Sequence, residues 1–395
     1  METITRSAVS RASKNLPERA LFAFNTNIDA VAKIKGKRVA KTRLPPKLRT
    51  LLQCMLAGSQ REVAIGLDEL VFLLRNFKPF EFRAGGQAGN GARAAARLGV
   101  KSLLHSASKA SQQMALLNEK NIFIATPKGF ENPTNAVSTD IPLIHVVLEF
   151  EKGDRINNKK ISRSNRFIAS FDPYNTEMLI DENFKHHAQK EIARLDKAFV
   201  SGFHLLARDD FEKKIDGVCE VVRDWTSANK NLEIYTELGD FQNENVARAF
   251  VKKFLPLCDC VGMDERELNQ IKRTLRIKQN NLARAALAVL QKTEIETILI
   301  HTPELALAAS RKHGALSLSD SLVFASVLAA LKAKTGETPT LREIMDFSAR
   351  AAKIEAKGIK SRFANARVPS FFIENPKSTV ALGDCFAAGF FLTLR

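Results

Sequence analysis

From Lys197 onward the sequence repeats one unit, a short apolar run followed by a segment with helical spacing. The runs are "AFVSGFHLL", "LEIYTEL", "CDCVGMDEREL" and "ETILIHT"; helical patterns fall near 209–230 and 244–254, and further helices reach "TPTLREIMDFSARAAKIEA". Parallel neighbours in a sheet need a long crossover between them, so strands alternating with helices predict a parallel sheet covered on both faces. Ligands of such sheets sit beyond the carboxyl ends of the strands. Those ends present His204, Glu237, Asp264 with Glu267, and His301.

Four further segments frame this half. "ALFAFNTNIDAVAKI" reads as a buried strand ending at Asn25, where Asn and Asp residues break the apolar run. In "FRAGGQAGNGARAAARLGV" two glycines make a tight turn before a small-residue helix that ends near Gly99. Residues 35–76 hold no comparable strand and mix a basic segment, Pro45-Pro46 and an amphipathic helix, which reads as an excursion from the main sheet. "IPLIHVVLEFEKGDRINNKKISRSNRFIASFDP" alternates and carries a Gly-Asp turn, predicting hairpin strands of a lid with Asn165 and Arg166 on the last.

The C-terminal "STVALGDCFAAGFF" places a lone carboxylate, Asp384, just after a glycine in an apolar run. A helix starting there aims free backbone N–H groups and its positive dipole end at the space beside Asp384, which suits a phosphate. A base beside an anion cradle is phosphoryl-transfer chemistry; the bland alternative is an Asp that merely caps its helix.

With 395 residues, 45% of them hydrophobic, the chain can bury a large core, one big domain with a smaller one. Five cysteines without framework spacing fit a reducing compartment, and Cys258-Asp-Cys260 has no second cluster to complete a zinc site. No run approaches the roughly 18 apolar residues that span a bilayer, and the N-terminus lacks the apolar stretch of a signal peptide, so a cytoplasmic protein with no membrane partner is expected. The net charge of +17 favours anionic partners. Its cations concentrate at 33–49, 157–166 and 272–278 with few aromatics between them, which reads as a solvated face rather than a nucleic-acid platform.

Taken in order, "AFNTNIDAV", "RAGGQAGNGA", "SNRFIAS", "SGFHLL", "GMDERELNQI", "ILIHT" and "VPSFFIENPKSTVALGDCFAAGFF" resemble the archaeal ADP-dependent sugar kinases, the phosphofructokinase and glucokinase family of the ribokinase-like superfamily. The resemblance implies an α/β, Rossmann-type three-layer sandwich with a smaller β-rich lid. On this reading residues 1–34, 81–142 and 171–395 form the large unit, and 35–80 with 143–170 the lid. It implies Mg2+ with ADP as phosphoryl donor, a sugar or sugar phosphate as acceptor, AMP as product, and a monomer or small homo-oligomer.

Residue by residue, the resemblance makes Asp384 the catalytic base. Gly383, Cys385 and Ala381 border the phosphates, and His301 and Val368 the nucleotide. Asn25, Asn27, Asp29, Gly85, Gly86, Gln87 and Asn90 would line the sugar pocket, with Asn165, Arg166 and Lys160 reaching from the lid. Glu237, Glu267 and Asp264 would serve the metal and its waters. The surplus of cations in the lid favours fructose 6-phosphate over glucose. Three positions depart from the family pattern: Ala381 replaces the first Gly of the GxGD motif, Asp264 the Asn of NxxE, and Tyr235 the His of HxE. Ala381 is tolerable at negative φ but not at positive φ. Two alternatives remain at this point: a silent kinase fold binding an anionic polymer through its basic surface, and an ATP-dependent kinase of the same superfamily.

Overall fold

The structure is a computed structural model that describes residues 4–206, 209–350, 357–371 and 373–395. Its strands, in chain order, are β1 (Arg19–Ala23), β2 (Asn27–Lys33), β3 (Arg61–Ala64), β4 (Glu81–Gly85), β5 (Lys101–Leu104), β6 (Ile122–Thr126) and β7 (Gly129–Glu131). Then follow β8 (Ile144–Phe150), β9 (Arg155–Ile156), β10 (Lys159–Lys160) and β11 (Asn165–Phe171). The last six are β12 (Lys197–Val200), β13 (Glu233–Glu237), β14 (Cys260–Met263), β15 (Thr297–His301), β16 (Leu305–Ser310) and β17 (Ala364–Pro369).

The alternating half folds into the expected parallel sheet. The order is β17-β16-β15-β14-β13-β12-β1-β5-β6-β7, parallel from β15 to β6 and closed by antiparallel strands at both edges. Two cores lie on its two faces. One is built on Phe184, Trp225, Phe250 and Phe254, the other on helices Gln87–Arg97, Ala315–Thr335 and Leu382–Thr393 against Phe22, Phe199 and Tyr235. Helix Ala315–Thr335 is long and apolar enough to cross a bilayer, yet most of it is buried in this second core. The helix expected over "TPTLREIMDFSARAAKIEA" is Leu341–Ser348, and residues 351–356 of that expectation lie outside the described residues.

The second sheet, β3-β11-β8-β2-β4, forms the lid, with β9 and β10 as a separate two-stranded hairpin. Here the structure corrects the reading at three places. "ALFAFNTNIDAVAKI" is two strands rather than one, because the polar stretch Asn25–Asn27 breaks the run and the chain leaves the main sheet there for the smaller one. Strands β2 and β4, assigned to the large unit within 1–34 and 81–142, therefore pair in the lid sheet. The 35–76 excursion also yields β3, whose four residues give too short a run to read from pattern alone.

Period-two alternation sorts the lid sheet. Ala30, Ala32, Val146, Leu148, Phe167 and Ala169 enter the lid core. Asn27, Asp29, His145, Val147, Arg166 and Ile168 face the cleft. Val31 and Val147 also pack on Val380, and Arg83 donates to Ser378 Oγ at 2.8 Å, so the lid rests on the loop that precedes the last helix.

Candidate functional site

A cavity of about 140 Å3 lies between the lid sheet and the carboxyl ends of the parallel strands. Of the expected sugar-pocket residues, Asn25, Asn27, Asp29, Gly86, Gln87, Asn90 and Arg166 line it, together with Ala381 and Asp384. Gly85 borders it through Asp29, whose Oδ1 would lie 2.3 Å from a Cβ at that position. Asn165 and Lys160 do not line it: Asn165 donates to the Gly58 carbonyl at 3.1 Å, and Lys160 is exposed on the outer hairpin. Val368 is buried in β17 opposite Ala306 and presents no polar atom beyond its backbone.

Gly86 makes the turn possible. It has φ +79°, and a Cβ there would stand 2.4 Å from the Asn25 carbonyl oxygen. Gly86→Ala is expected to cost at least about 2 kcal/mol, through a left-handed backbone plus this clash, and to raise the acceptor KM; thermal unfolding and steady-state kinetics check it.

Inside the cavity several polar atoms have no partner. Asn25 Oδ1, Asn27 Oδ1, Gln87 Oε1 and His204 Nδ1 are buried without a hydrogen bond among the described residues. Four unsatisfied acceptors or donors around a small void match a ligand dense in hydroxyl groups, since burying them unpaired is costly. Asp29 is buried and held by Asn27 Nδ2 at 2.7 Å. Burial raises its carboxyl above the ordinary range, opposed by His145, Asn27 and Arg166.

Asp384 sits in the first turn of helix Leu382–Thr393, which is buried between helices Gln87–Arg97 and Ala315–Thr335. Close packing fixes it: a Cβ on Gly389 would meet Leu328 Cδ1 at 3.2 Å. The carboxylate accepts from Asn90 Nδ2 at 2.8 Å. Burial pushes its pKa up to about 6, aided by the Glu237 charge and opposed by the Asn90 hydrogen bond. The amides of Leu382, Gly383 and Asp384 have no acceptor among the described residues, whereas Cys385 N–H is already bonded to the Ala381 carbonyl at 3.1 Å. Cys385, expected in an anion hole, therefore has no free amide to offer, and the three preceding amides are the ones available to an anion, because the helix's own bonding begins at residue 385.

Ala381 caps this helix at φ +57°. The methyl group departing from the family's glycine thus sits in the unfavourable left-handed region. Ala381→Gly is expected to stabilise the protein by about 1 kcal/mol, read as a raised unfolding midpoint.

Across from Asp384 stands an acidic group. Glu237 ends β13 and is buried; Tyr235 Oη donates to one of its oxygens and His301 Nε2 lies 2.8 Å from the other. Gly262 on β14 permits this, since a Cβ there would collide with both Tyr235 and Glu237. Burial opposes charge on His301, but Glu237, with Glu267 and Asp264 behind it, raises its pKa to about 9. Glu267 closes a capping box on the Asp264 amide at 2.7 Å, and burial followed by the Asp264 and Glu237 charges raises its carboxyl. Asp264 is turned away from any ligand: its oxygens accept from the amides of Arg266 and Glu267 and from the Arg266 guanidinium. Crowded, desolvated Glu237 and Glu267 could hold a hydrated divalent cation through its waters, which would relieve their repulsion, whereas the oxygens of Asp264 are turned onto its own helix start and the Arg266 guanidinium. Among the described residues no three side chains form a direct ligand set.

Sequence reasoning missed Glu62 and His145, which also line the cavity. His145 Nε2 is 2.9 Å from Asp172 Oδ2 and its Nδ1 lies 3.8 Å from Glu62. Burial disfavours its charge, but Asp172 first and Glu62 and Asp29 after it raise its pKa to about 9. The signal for His145 was present as a polar residue on the cleft-facing parity of β8; Glu62 stood in a strand too short to recognise.

Residues 47–393 match a family model described as ADP-specific phosphofructokinase/glucokinase conserved region. The chain belongs to that family. It is an ADP-dependent kinase with a hydroxyl acceptor, on a ribokinase-like fold. An ADP-dependent glucose/glucosamine kinase of Pyrococcus furiosus is 26% identical over 99% of this chain and 98% of its own. An ADP-specific phosphofructokinase of Thermococcus kodakarensis is 25% identical over 93% and 94%. The kinase also superposes on an ADP-dependent kinase solved with fructose-6-phosphate and ADPβS, with TM-score 0.85 at 20% identity, covering 99% of this chain and 96% of that one.

Proposed function

We propose that the chain transfers the β-phosphate of ADP to a hydroxyl of an unphosphorylated hexose, releasing AMP. The observation that carries this is the convergence, on one cavity, of the Asp384 carboxylate with three helix-start amides and the side-chain oxygens of Asn25, Asn27 and Gln87, none of which has a hydrogen-bond partner among the described residues. Asp384 accepts the proton of the attacking hydroxyl, and the amides of Leu382, Gly383 and Asp384 hold the transferring phosphoryl oxygens. Glu237 and Glu267 would hold Mg2+ through its waters, and the ion supplies neutralising charge at the phosphates. Asp29 and Asn27 orient the sugar, while Val31, Val147 and Val380 close the lid against water.

The acceptor preference shifts from the one expected. Of the lid cations that pointed to a phosphosugar, Arg166 lines the cavity, whereas Lys160 and Arg163 are exposed outside it, and Glu62 adds a carboxylate beside it. A neutral hexose fits that balance better, in keeping with the name of the Pyrococcus furiosus relative. Fructose 6-phosphate is the second reading, and it rests on Arg166. Incubation with Mg2+, ADP or ATP, and glucose, glucosamine or fructose 6-phosphate separates these readings. AMP release with glucose exceeding that with fructose 6-phosphate is expected; the reverse order installs the phosphosugar, and product from ATP alone removes the ADP donor.

A further inference from the structure

Twelve of the seventeen net positive charges come from two short segments. Residues 33–49 carry eight Lys and Arg without an acidic residue, and residues 151–166 carry six against Glu151 and Asp154. Far apart in sequence, they are joined in the lid. Helix Gly36–Lys41 lies against β9, so closely that a Cβ on Gly36 would stand 2.3 Å from the Arg155 carbonyl oxygen. Gly36 N–H donates to Asp154 at 2.6 Å and Lys35 pairs with Glu151 at 3.0 Å, which consumes both carboxylates. The apolar residues of both segments, among them Ile34, Val39, Leu48, Ile156 and Ile161, enter one lid core.

The cations are thereby left outside. All but Arg166 are exposed, and among the described residues Lys35 alone forms an ion pair. Such a concentration of like charge costs the lid folding energy through mutual repulsion, and the catalytic cavity does not use it, since Arg166 is the one member that lines it.

We propose that this outer face of the lid docks on the phosphate backbone of a nucleic acid duplex, without sequence preference. Neither segment exposes a large apolar or aromatic side chain, so nothing is available to stack on bases or to enter an acyl layer. What it does expose among the cations, Asn157, Asn158, Ser162 and Ser164, are the uncharged groups that hydrogen-bond phosphate oxygens. The release of counterions from the duplex supplies the driving force. This surface is independent of the kinase reading.

The test is fluorescence anisotropy of a labelled DNA duplex with the full chain, between about 50 and about 200 mM salt. Binding is expected to weaken steeply with salt. The variant Lys37→Gln, Lys41→Gln, Lys47→Gln, Arg49→Gln should flatten the log–log slope by about 3 and weaken binding at least about tenfold at 100 mM salt. A control with the same charge change at exposed sites elsewhere, Lys120→Gln, Lys128→Gln, Lys213→Gln, Lys278→Gln, should change the slope by less than about 1. None of these eight residues lines the cavity, so kinase turnover reports that both variants are folded. If the fourfold lid variant loses turnover, Lys47→Gln alone must still lower the slope by about 0.9. Equal loss in the two fourfold variants, no binding at about 50 mM salt, or binding to phosphatidylglycerol vesicles but not to the duplex would each overturn the proposal.

Discussion

Asp384→Asn is expected to lower kcat by about a thousandfold while leaving nucleotide affinity within a few-fold, because it removes proton acceptance and keeps the shape and the Asn90 contact. The native enzyme carries the same information in its pH profile. With the carboxyl at about 6, the active base form is lost as pH falls through that value, so kcat/KM should drop below pH 6 and level off above it. Asn90→Ala removes a hydrogen bond that favours the charged carboxylate, and should move the acidic limb to higher pH. Stopped assays of AMP across pH, with nucleotide titration of each variant, check all three. Near-normal turnover in Asp384→Asn would remove that carboxylate from the chemistry.

Glu237→Gln should have the largest effect on stability. It leaves His301 buried and deprived of its counter-charge at 2.8 Å, for which a loss of about 3 to 5 kcal/mol is expected. The sign with pH is fixed by the histidine. A pKa of about 9 when folded, against an ordinary value of 6.5, means that stabilisation is fully present below pH 6.5 and lost as pH rises through 9. Its size is about 3 kcal/mol, from a shift of about two and a half pH units. His145, also near 9, acts in the same direction. Unfolding midpoints of the native chain should therefore decline from pH 6.5 to 9, and Glu237→Gln should decline less over that window. An NMR titration that places His301 near 6.5 in the native chain would refute the pairing.

Much of the site was legible in order along the chain. The strand-end residues Glu237, Glu267 and His301 and the Gly383-Asp384 pair were identified from alternation and helix-start chemistry, which depend on neighbours a few residues away. The errors share one cause. Lys160 lies on the separate β9–β10 hairpin, Asn165 lies on β11 but on the face opposite Arg166, and Cys385 follows the right motif but lies one residue past the free amides. Those are matters of side-chain direction and hydrogen-bond bookkeeping, one residue being enough to reverse a strand's face. Tyr235, which departs from the family's histidine, supplies a hydroxyl to the same carboxylate region, a role visible only once Gly262 is seen to make room for it.

Local pattern was sufficient for the parallel sheet, its loaded carboxyl ends and a phosphate-ready helix start, since short-range periodicity and backbone chemistry dictate these. Which residues meet across the cleft depended on how two sheets were joined. Glu62, His145 and Arg166 come from separate strands of one sheet and oppose Asp384 on a helix packed against the other, and such long-range proximity follows from strand pairing and packing that no single stretch of chain encodes.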